Sequence, residues 1–221
     1  TLIGDSSIAN GISFEAMNYM STIKGQAPII ILNDNKMSIS KSVGAVSRSF
    51  SKLRSTRTYQ AINNFFVRIT PHKLRAVFHR IKRSIKGLIL KENLFEDWGY
   101  DYMGPYDGND ISVCIKTLKA AKNLNKPCVI HFITKKGKGY KFAEEDKDGT
   151  YHSVGSFDLK KGVLNNNEIT FTSVASNMIE KFIVEKNYFI INPAMIKGTN
   201  IENLVQKYPN NIIDVGIEEE H

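Results

Sequence analysis

Residues 28–35 read PIIILNDN, and this short stretch is the clearest indication of the fold. Four consecutive large apolar side chains, Ile29 to Leu32, follow a proline and give way to polar residues. The run does not alternate between apolar and polar positions, as a strand with one solvated face would. Uninterrupted apolar runs of this length suit strands buried on both faces of a parallel sheet. The stretch therefore predicts an interior strand of an α/β domain.

Strand-like and helix-like segments alternate on both sides of this stretch. Leu2-Ile3 ends one strand, and residues 127–133, PCVIHFI, form another buried one that contains Cys128. The predicted helices are 8–20, with Ile8, Ile12, Ala16 and Tyr19 on its apolar side, 94–100, and 111–124, which contains Cys114. We expect both cysteines to be core residues. Strands that alternate with helices predict βαβ units and a doubly wound, mostly parallel α/β sheet.

The alternation restarts after a polar stretch. Residues 135–162 and the asparagines at 165–167 separate the two parts, so we place a domain boundary near 160–168. The second part is predicted to contain helix 172–185, strand 188–191, helix 201–207 and strand 212–215. The chain opens on a strand without an initiator Met and stops just after an apolar run. We therefore expect a fold that is incomplete at both ends.

Composition narrows the class of protein. With 221 residues, 42% of them hydrophobic and 24% charged, the chain can bury a core and is not of the disordered class. Two cysteines are too few for a disulfide framework. No run reaches the roughly eighteen apolar residues that a membrane span needs. We expect a cytoplasmic protein with no membrane partner.

The net charge of +8 is concentrated in one region. From Lys36 to Lys91 there are fourteen Lys or Arg residues and no Asp or Glu. Such a stretch can bind nucleic acid, and aromatic residues interleave with it, but no nucleic-acid motif accompanies them. We interpret residues of about 41–91 as a solvated insertion, with a basic amphipathic helix over 74–90, and expect no nucleic-acid partner.

Polar residues follow the first two predicted strands. Gly4-Asp5 ends the first strand, and Asn33-Asp34-Asn35 ends the second. Ligands of open α/β sheets bind beyond the carboxyl ends of the strands. If the two strands are neighbours, Asp5 and Asn35 share an edge where their oxygens suit Mg²⁺ with a diphosphate. The other interpretation is that Asp5 only caps the helix that follows.

Several longer sequence motifs indicate a protein family more specifically than Asp5 and Asn35 do. Besides Gly4-Asp5 with Asn35 thirty residues later, they are FEAMN at 14–18, LNDNKMSIS at 32–40, GPYDGND at 104–110, TKKGKGY at 134–140 and DVGIEEEH at 214–221. Together, and in this order, they resemble the 1-deoxy-D-xylulose-5-phosphate synthase family, whose members use thiamine diphosphate. The basic stretch falls where that family carries a long variable insertion.

The resemblance implies a fold and a metal site. Residues 1–162 would be the later part of the diphosphate-binding domain, and 163–221 the start of the pyrimidine-binding domain. Asp5, Asn35 and the carbonyl of Met37 would bind Mg²⁺. The backbone of Ser6 and Ser7 would lie against the diphosphate, which Asn35 also helps to bind.

It also implies the reaction and the residues that serve it. Tyr140 would contact the cofactor, and Glu219 would bind N1′ of the aminopyrimidine, where a carboxylate promotes removal of the thiazolium C2 proton. His152 would face the reacting carbon and either shuttle protons or hold the donor substrate. The full-length homodimer would convert pyruvate and glyceraldehyde 3-phosphate to 1-deoxy-D-xylulose 5-phosphate and CO₂, for isoprenoid-precursor and thiamine biosynthesis. We expect the fragment alone to be inactive.

Three departures from the family pattern leave alternatives open. Ser6 replaces a glycine, Glu218 and Glu220 flank Glu219, and residues 194–199 lack a usual proline and second glycine. Serine at position 6 is compatible with the motif only if its φ stays negative. Added carboxylates raise the pKa of a neighbouring carboxyl. A transketolase-like enzyme with another substrate, or a non-catalytic paralogue that binds phosphates or a partner, remains an alternative.

Overall fold

The computed structural model describes residues 1–35, 94–146, 149–152, 154–163 and 169–217. The predicted insertion at about 41–91 and its helix over 74–90 lie outside these residues. So do Met37 and Glu219. Among the described residues, no helix combines the length and the apolar character that crossing a membrane requires.

Strands and short helices alternate along the described part of the chain. In order they are β1 (Leu2–Gly4), a 3₁₀ helix (Ser7–Ala9), α1 (Gly11–Met20), β2 (Ile29–Asp34), α2 (Leu94–Asp97), β3 (Asp101–Asp107), α3 (Ile111–Lys122), β4 (Cys128–Ile133), α4 (Lys141–Glu144), α5 (Phe171–Lys186), β5 (Ile190–Asn192), α6 (Glu202–Lys207) and β6 (Ile212–Asp214).

The main sheet has four strands in the order β1-β2-β4-β3, and every neighbouring pair is parallel. Ile31 of β2 lies between Leu2 of β1 and Ile130 of β4. The apolar stretch that predicted an interior strand therefore does form one. The predicted α/β class with a parallel sheet is confirmed.

Both faces of β2 are covered, by different helices. Ile30 and Leu32 point into a cluster that includes Met17 of α1. Ile31 packs on the opposite side, in the cluster that contains Ala121 of α3. Successive side chains of a strand point to opposite faces, so an uninterrupted apolar run serves both clusters. The sheet is thus doubly wound, as predicted.

The predicted apolar side of the first helix is wrong. Asn10 interrupts the segment: its backbone is extended, at φ −72° and ψ 146°, and its side chain accepts a hydrogen bond from the N–H of Ile12 at 3.0 Å. Since asparagine is a preferred N-cap, a new helix starts there and Ile8 is no longer in phase with it. Ile12 and Tyr19 are 64% and 69% exposed, and Met17 is buried instead.

The sequence prediction also missed β3. The helix predicted over 94–100 ends at Asp97, and the segment DYMGPYD, which begins at Asp101, forms a strand beside β4. Gly104 and Pro105 argue against a strand in the sequence, because proline cannot donate to the ladder. Among the described strands, β3 pairs with β4 alone, and its register shifts between Met103 and Tyr106. A bulged edge position tolerates proline.

The second part of the chain forms a smaller α/β unit. Strands β5 and β6 are parallel, with Ile190 opposite Ile212. Ile183 of α5, Leu204 of α6 and Ile212 are among the residues of its core. These four elements match those predicted for this part. The division into two domains at 162 stays a prediction.

Gly104 is required by close contact as well as by its φ of 140°. A Cβ at this position would lie 2.6 Å from the carbonyl oxygen of His131 and 2.9 Å from its Cβ. We therefore expect Gly104→Ala to lower the free energy of unfolding by about 3 kcal/mol, since overpacking adds to backbone strain. Urea denaturation measures this change.

Gly99→Ala is the matched control. Gly99 also has positive φ, at 84°, but no atom lies within 4 Å of the position that a Cβ would take there. We expect it to lose only the strain contribution, about 1 kcal/mol. Equal losses in the two variants would contradict the contact with His131.

Candidate functional site

The first two strands end side by side. Gly4 of β1 is paired with Asn33 of β2, and the N–H of Asp5 donates to the carbonyl of Asn33 at 3.1 Å. Asp5 and Asn35, which follow the two strands, therefore lie at the same edge of the sheet. This is the arrangement that the sequence predicted for neighbouring strands. Both residues are partly exposed.

A tight turn leads from β1 into the helices. Ser6 has φ −81° and ψ −44°, within the ordinary right-handed region, so serine imposes no backbone strain where the family has glycine. The hydroxyl of Ser13 donates to the carbonyl of Ser7 at 2.8 Å, which ties the 3₁₀ helix to α1. Ile8 is buried in the core beneath the turn. The first N–H groups of a helix have no partner within the helix, which suits them to bind an anion.

The end of β2 is fixed to β4 through Thr134. Its hydroxyl donates to Oδ1 of Asn33 at 2.8 Å, and its N–H donates to the carbonyl of Asp34 at 2.9 Å. Because β4 runs parallel to β2, Thr134 and the loop after it leave from the edge that carries Asp5 and Asn35. Residues from three strands therefore meet there.

Asp34, His131 and Tyr102 form a buried hydrogen-bonded chain across β2, β4 and β3. Nε2 of His131 lies 2.9 Å from Oδ2 of Asp34, and Nδ1 lies 2.6 Å from the hydroxyl of Tyr102. Asp34 and His131 are both 0% exposed. The sequence analysis did not identify these three residues as a group. The signal was a histidine inside the apolar run of β4 and an aspartate directly after the apolar run of β2.

The loop after β4 carries the TKKGKGY word and is held by Glu144. The carboxylate of Glu144 contacts the ammonium of Lys135 and accepts from the N–H of Gly139 at 2.8 Å. The hydrogen bond from Lys135, and then the one from Gly139, lower the pKa of Glu144. The stabilising effect of these contacts is complete above the ordinary pKa of glutamate and fades as pH falls through the lowered one.

Tyr140 ends this loop in a cluster of aromatic rings. Its ring centroid lies 5.6 Å from Phe142, 5.7 Å from Tyr151 and 5.6 Å from Phe157. The Tyr140 hydroxyl donates to the carbonyl of Leu159 at 3.2 Å. Desolvation in this cluster raises the pKa of Tyr140. The cluster fixes the tyrosine and links it to the turn that carries His152.

His152 is exposed and lies beside the same loop. Nζ of Lys136 lies 2.8 Å from its Nδ1, and its N–H donates to the carbonyl of Gly149 at 3.0 Å. An ammonium group can only donate, so Nδ1 must accept, and the ring proton of neutral His152 is on Nε2. The ring therefore presents an N–H donor on the side away from Lys136.

The predicted site residues thus fall into two groups. Asp5, Ser6, Ser7 and Asn35 lie at the ends of β1 and β2. Tyr140 ends the loop after β4 and contacts Tyr151, and His152 contacts Lys136 of the same loop. In the described part of the chain, no group of three or more His, Cys, Asp or Glu side chains could hold a metal ion. A cation at the sheet edge would have to take other oxygens as well, from amides, carbonyls or a bound anion.

Comparison with known proteins shows the family to which this chain is similar. A family model described as 1-deoxy-D-xylulose-5-phosphate synthase matches residues 1–134. Curated proteins of that name align with all of this chain: 37% identical over 230 residues in Bacillus cytotoxicus, 40% over 232 in Malacoplasma penetrans and 38% over 227 in Campylobacter jejuni subsp. doylei. The alignments cover 36%, 37% and 36% of those proteins.

The chain thus spans little more than a third of the length of the curated relatives it matches. The family match includes all four strands of the main sheet and both strand ends with their polar residues, Asp5 and Asn35, and it stops at Thr134, before the loop after β4. On the match over residues 1–134, this chain belongs to the 1-deoxy-D-xylulose-5-phosphate synthase family.

Proposed function

We propose that this chain is part of an enzyme that condenses pyruvate with glyceraldehyde 3-phosphate, releasing CO₂ and forming 1-deoxy-D-xylulose 5-phosphate. The product would supply isoprenoid-precursor and thiamine biosynthesis. The observation that carries the proposal is the shared edge of β1 and β2, where Asp5 and Asn35 follow paired strand ends in a chain of this family. The enzyme would act in the cytoplasm as a homodimer.

The sheet edge fits magnesium and a diphosphate. Mg²⁺ takes one or two carboxylates and fills its octahedron with phosphate and water oxygens. Asp5 and the amide oxygen of Asn35 supply hard oxygen ligands, and the carbonyl of Met37 would add another. A single carboxylate suffices there, because a diphosphate brings its own negative charge. The backbone N–H groups of Ser6 and Ser7, at the start of the 3₁₀ helix, would bind that diphosphate.

The other cofactor contacts lie further along the chain. Glu219 would bind N1′ of the aminopyrimidine, and Tyr140, held by its aromatic neighbours, would pack against the cofactor. Thiamine diphosphate, when bound, supplies an electron sink for the decarboxylation of pyruvate. Residues 1–162 would form the diphosphate-binding domain, and 163–221 would begin the pyrimidine-binding domain.

His152 would hold the donor substrate. With Lys136 bonded to Nδ1, the outward Nε2–H is a hydrogen-bond donor rather than a base. A donor at that position suits the carboxylate or carbonyl oxygen of pyruvate. Of the two roles that the resemblance implies for His152, proton shuttle and substrate binding, this tautomer favours the second.

Asp5 is the first residue to test. In the full-length protein, we expect Asp5→Ala to weaken Mg²⁺-dependent thiamine diphosphate binding at least about tenfold, because it removes the only carboxylate proposed as a metal ligand. Calorimetric titration measures the affinity. Asp101→Ala, at the opposite end of the sheet, is the control and should bind normally. Unchanged affinity in Asp5→Ala would refute the metal assignment.

Glu219 is tested by separating binding from turnover. We expect the full-length Glu219→Ala variant to retain the cofactor but to lose release of CO₂ from pyruvate, since the proposed role of this carboxylate is activation rather than attachment. Calorimetry and CO₂ capture measure the two properties. Glu220→Ala, which removes a neighbouring carboxylate, should keep its activity. Full activity in Glu219→Ala would remove this residue from the proposed role.

Lys136 tests the role of His152. Lys136→Met in the full-length enzyme removes the contact that fixes the His152 tautomer. We expect KM for pyruvate to rise about threefold to tenfold, with little change in kcat. This is the factor expected for loss of one hydrogen bond, here from His152 to pyruvate. Lys138→Met removes the same charge from the same loop and should leave KM unchanged. A fall in kcat at constant KM would instead support proton transfer by His152.

A further inference from the structure

Burial of the hydrogen-bonded residues Asp34, His131 and Tyr102 in the main sheet is unfavourable for the free energy of folding. Burying ionisable groups costs free energy that their mutual contacts only partly offset, and apolar residues of similar volume often serve stability as well. In the described part of the chain, Asp34 and His131 are a fully buried ionisable pair: His131 interrupts the apolar run of β4, and Asp34 is the last residue of β2. A role beyond packing would account for them.

The position of Asp34 indicates that role. It is the last residue of β2, between Asn33 and Asn35, at the strand end that we assign to the metal. Its side chain belongs to the face of Ile30 and Leu32, because alternate residues of a strand share a face. Its carbonyl accepts the N–H of Thr134, and the neighbouring Asn33 side chain accepts the Thr134 hydroxyl. The end of β2 is therefore held through both backbone and side chains as it leaves the sheet.

His131 is the central member of the chain and sets its directions. If the Tyr102 hydroxyl donates to Nδ1, the proton of the neutral ring is on Nε2 and donates to the Asp34 carboxylate. Each of the two donors then meets one acceptor. The ring of Tyr102 is itself fixed by stacking on Phe95, with centroids 6.0 Å apart and planes inclined by 3°. These three side chains thus connect the end of β2 to the core cluster that contains Phe95.

We propose that His131 and Tyr102 are positioning residues for the metal-binding edge, acting through the buried Asp34 carboxylate at the end of β2, next to Asn35. This inference rests on the proposed function. Groups that orient metal ligands from outside the first coordination shell change metal affinity by about tenfold to a hundredfold. Their loss leaves the ligands present but less well oriented.

Two tyrosines allow a matched test. Tyr102→Phe and Tyr100→Phe each remove one buried phenol hydroxyl from the same core cluster. The hydroxyl of Tyr100 donates to the carbonyl of Met17 at 2.7 Å and has no part in the chain to Asp34. We expect similar losses of thermal stability. Only Tyr102→Phe should raise the Kd for Mg²⁺, about threefold to tenfold, because only it removes the donor to His131.

His131 provides a rescue test. His131→Leu removes the donor to Asp34 and should raise the Mg²⁺ Kd more than about tenfold. His131→Gln, whose amide can still donate to Asp34, should stay within about threefold of the wild type. Should His131→Leu fail to fold, the tyrosine pair decides the question.

Every measurement uses the full-length protein with saturating thiamine diphosphate, titrated calorimetrically with Mg²⁺ alone, and thermal unfolding is recorded in parallel. Wild-type protein that binds no Mg²⁺ would overturn the proposed function, and the positioning role with it. If the wild type binds Mg²⁺ normally and both Tyr102→Phe and Tyr100→Phe keep the wild-type Kd, the positioning role alone is overturned. If both variants raise the Kd equally, the positioning role is also overturned, since a general loosening of the core would explain the change.

Discussion

The parallel pairing of β2 with β1 and β4 sets both the burial of the main sheet and the position of its polar edge. Parallel strands bring all of their carboxyl ends to one edge, and their connections must cross the faces of the sheet. The helices that return the chain cover both faces of β2, which is why its four apolar residues are uninterrupted. The same pairing sets Asp5, Asn35 and Thr134 at a common edge. Burial and site geometry thus have one cause.

Polar side chains inside the sheet are tolerated because each has a partner. The Asp34 carboxylate meets His131, and the Tyr102 hydroxyl meets the other nitrogen of the same ring. This chain crosses three strands whose order in the sheet, β2-β4-β3, differs from their order in the sequence. Only the completed sheet can bring the three residues together. These contacts therefore form only when β2, β4 and β3 have paired, which is also the condition for the sheet edge that carries Asn35.

Contacts with Glu144 give the loop after β4 a defined conformation. Two glycines and three lysines would leave residues 135–140 many conformations. Glu144 restricts them by contacting Lys135 and the N–H of Gly139, and Gly137 permits close approach to Ala143. Tyr140 then packs against Tyr151, the residue before His152, and His152 contacts Lys136 of the loop. A site built in this way depends on local charge as well as on the core.

The α/β class, the parallel interior strands and the family could be predicted from the sequence alone, because a continuous apolar run and an ordered series of motifs depend on neither register nor packing. Asp5 and Asn35 could be named from their places after two strands, while Glu219 and Met37 rest on resemblance alone. Tertiary structure decided that β1 and β2 are neighbours, that Asn10 moves the buried face to Met17, and that Asp101–Asp107 is a strand despite Pro105. It also decided the contacts of His131 with Asp34 and Tyr102, 97 and 29 residues away in the chain. Periodicity describes one segment at a time, whereas strand order and buried polar contacts arise only when distant segments pack together.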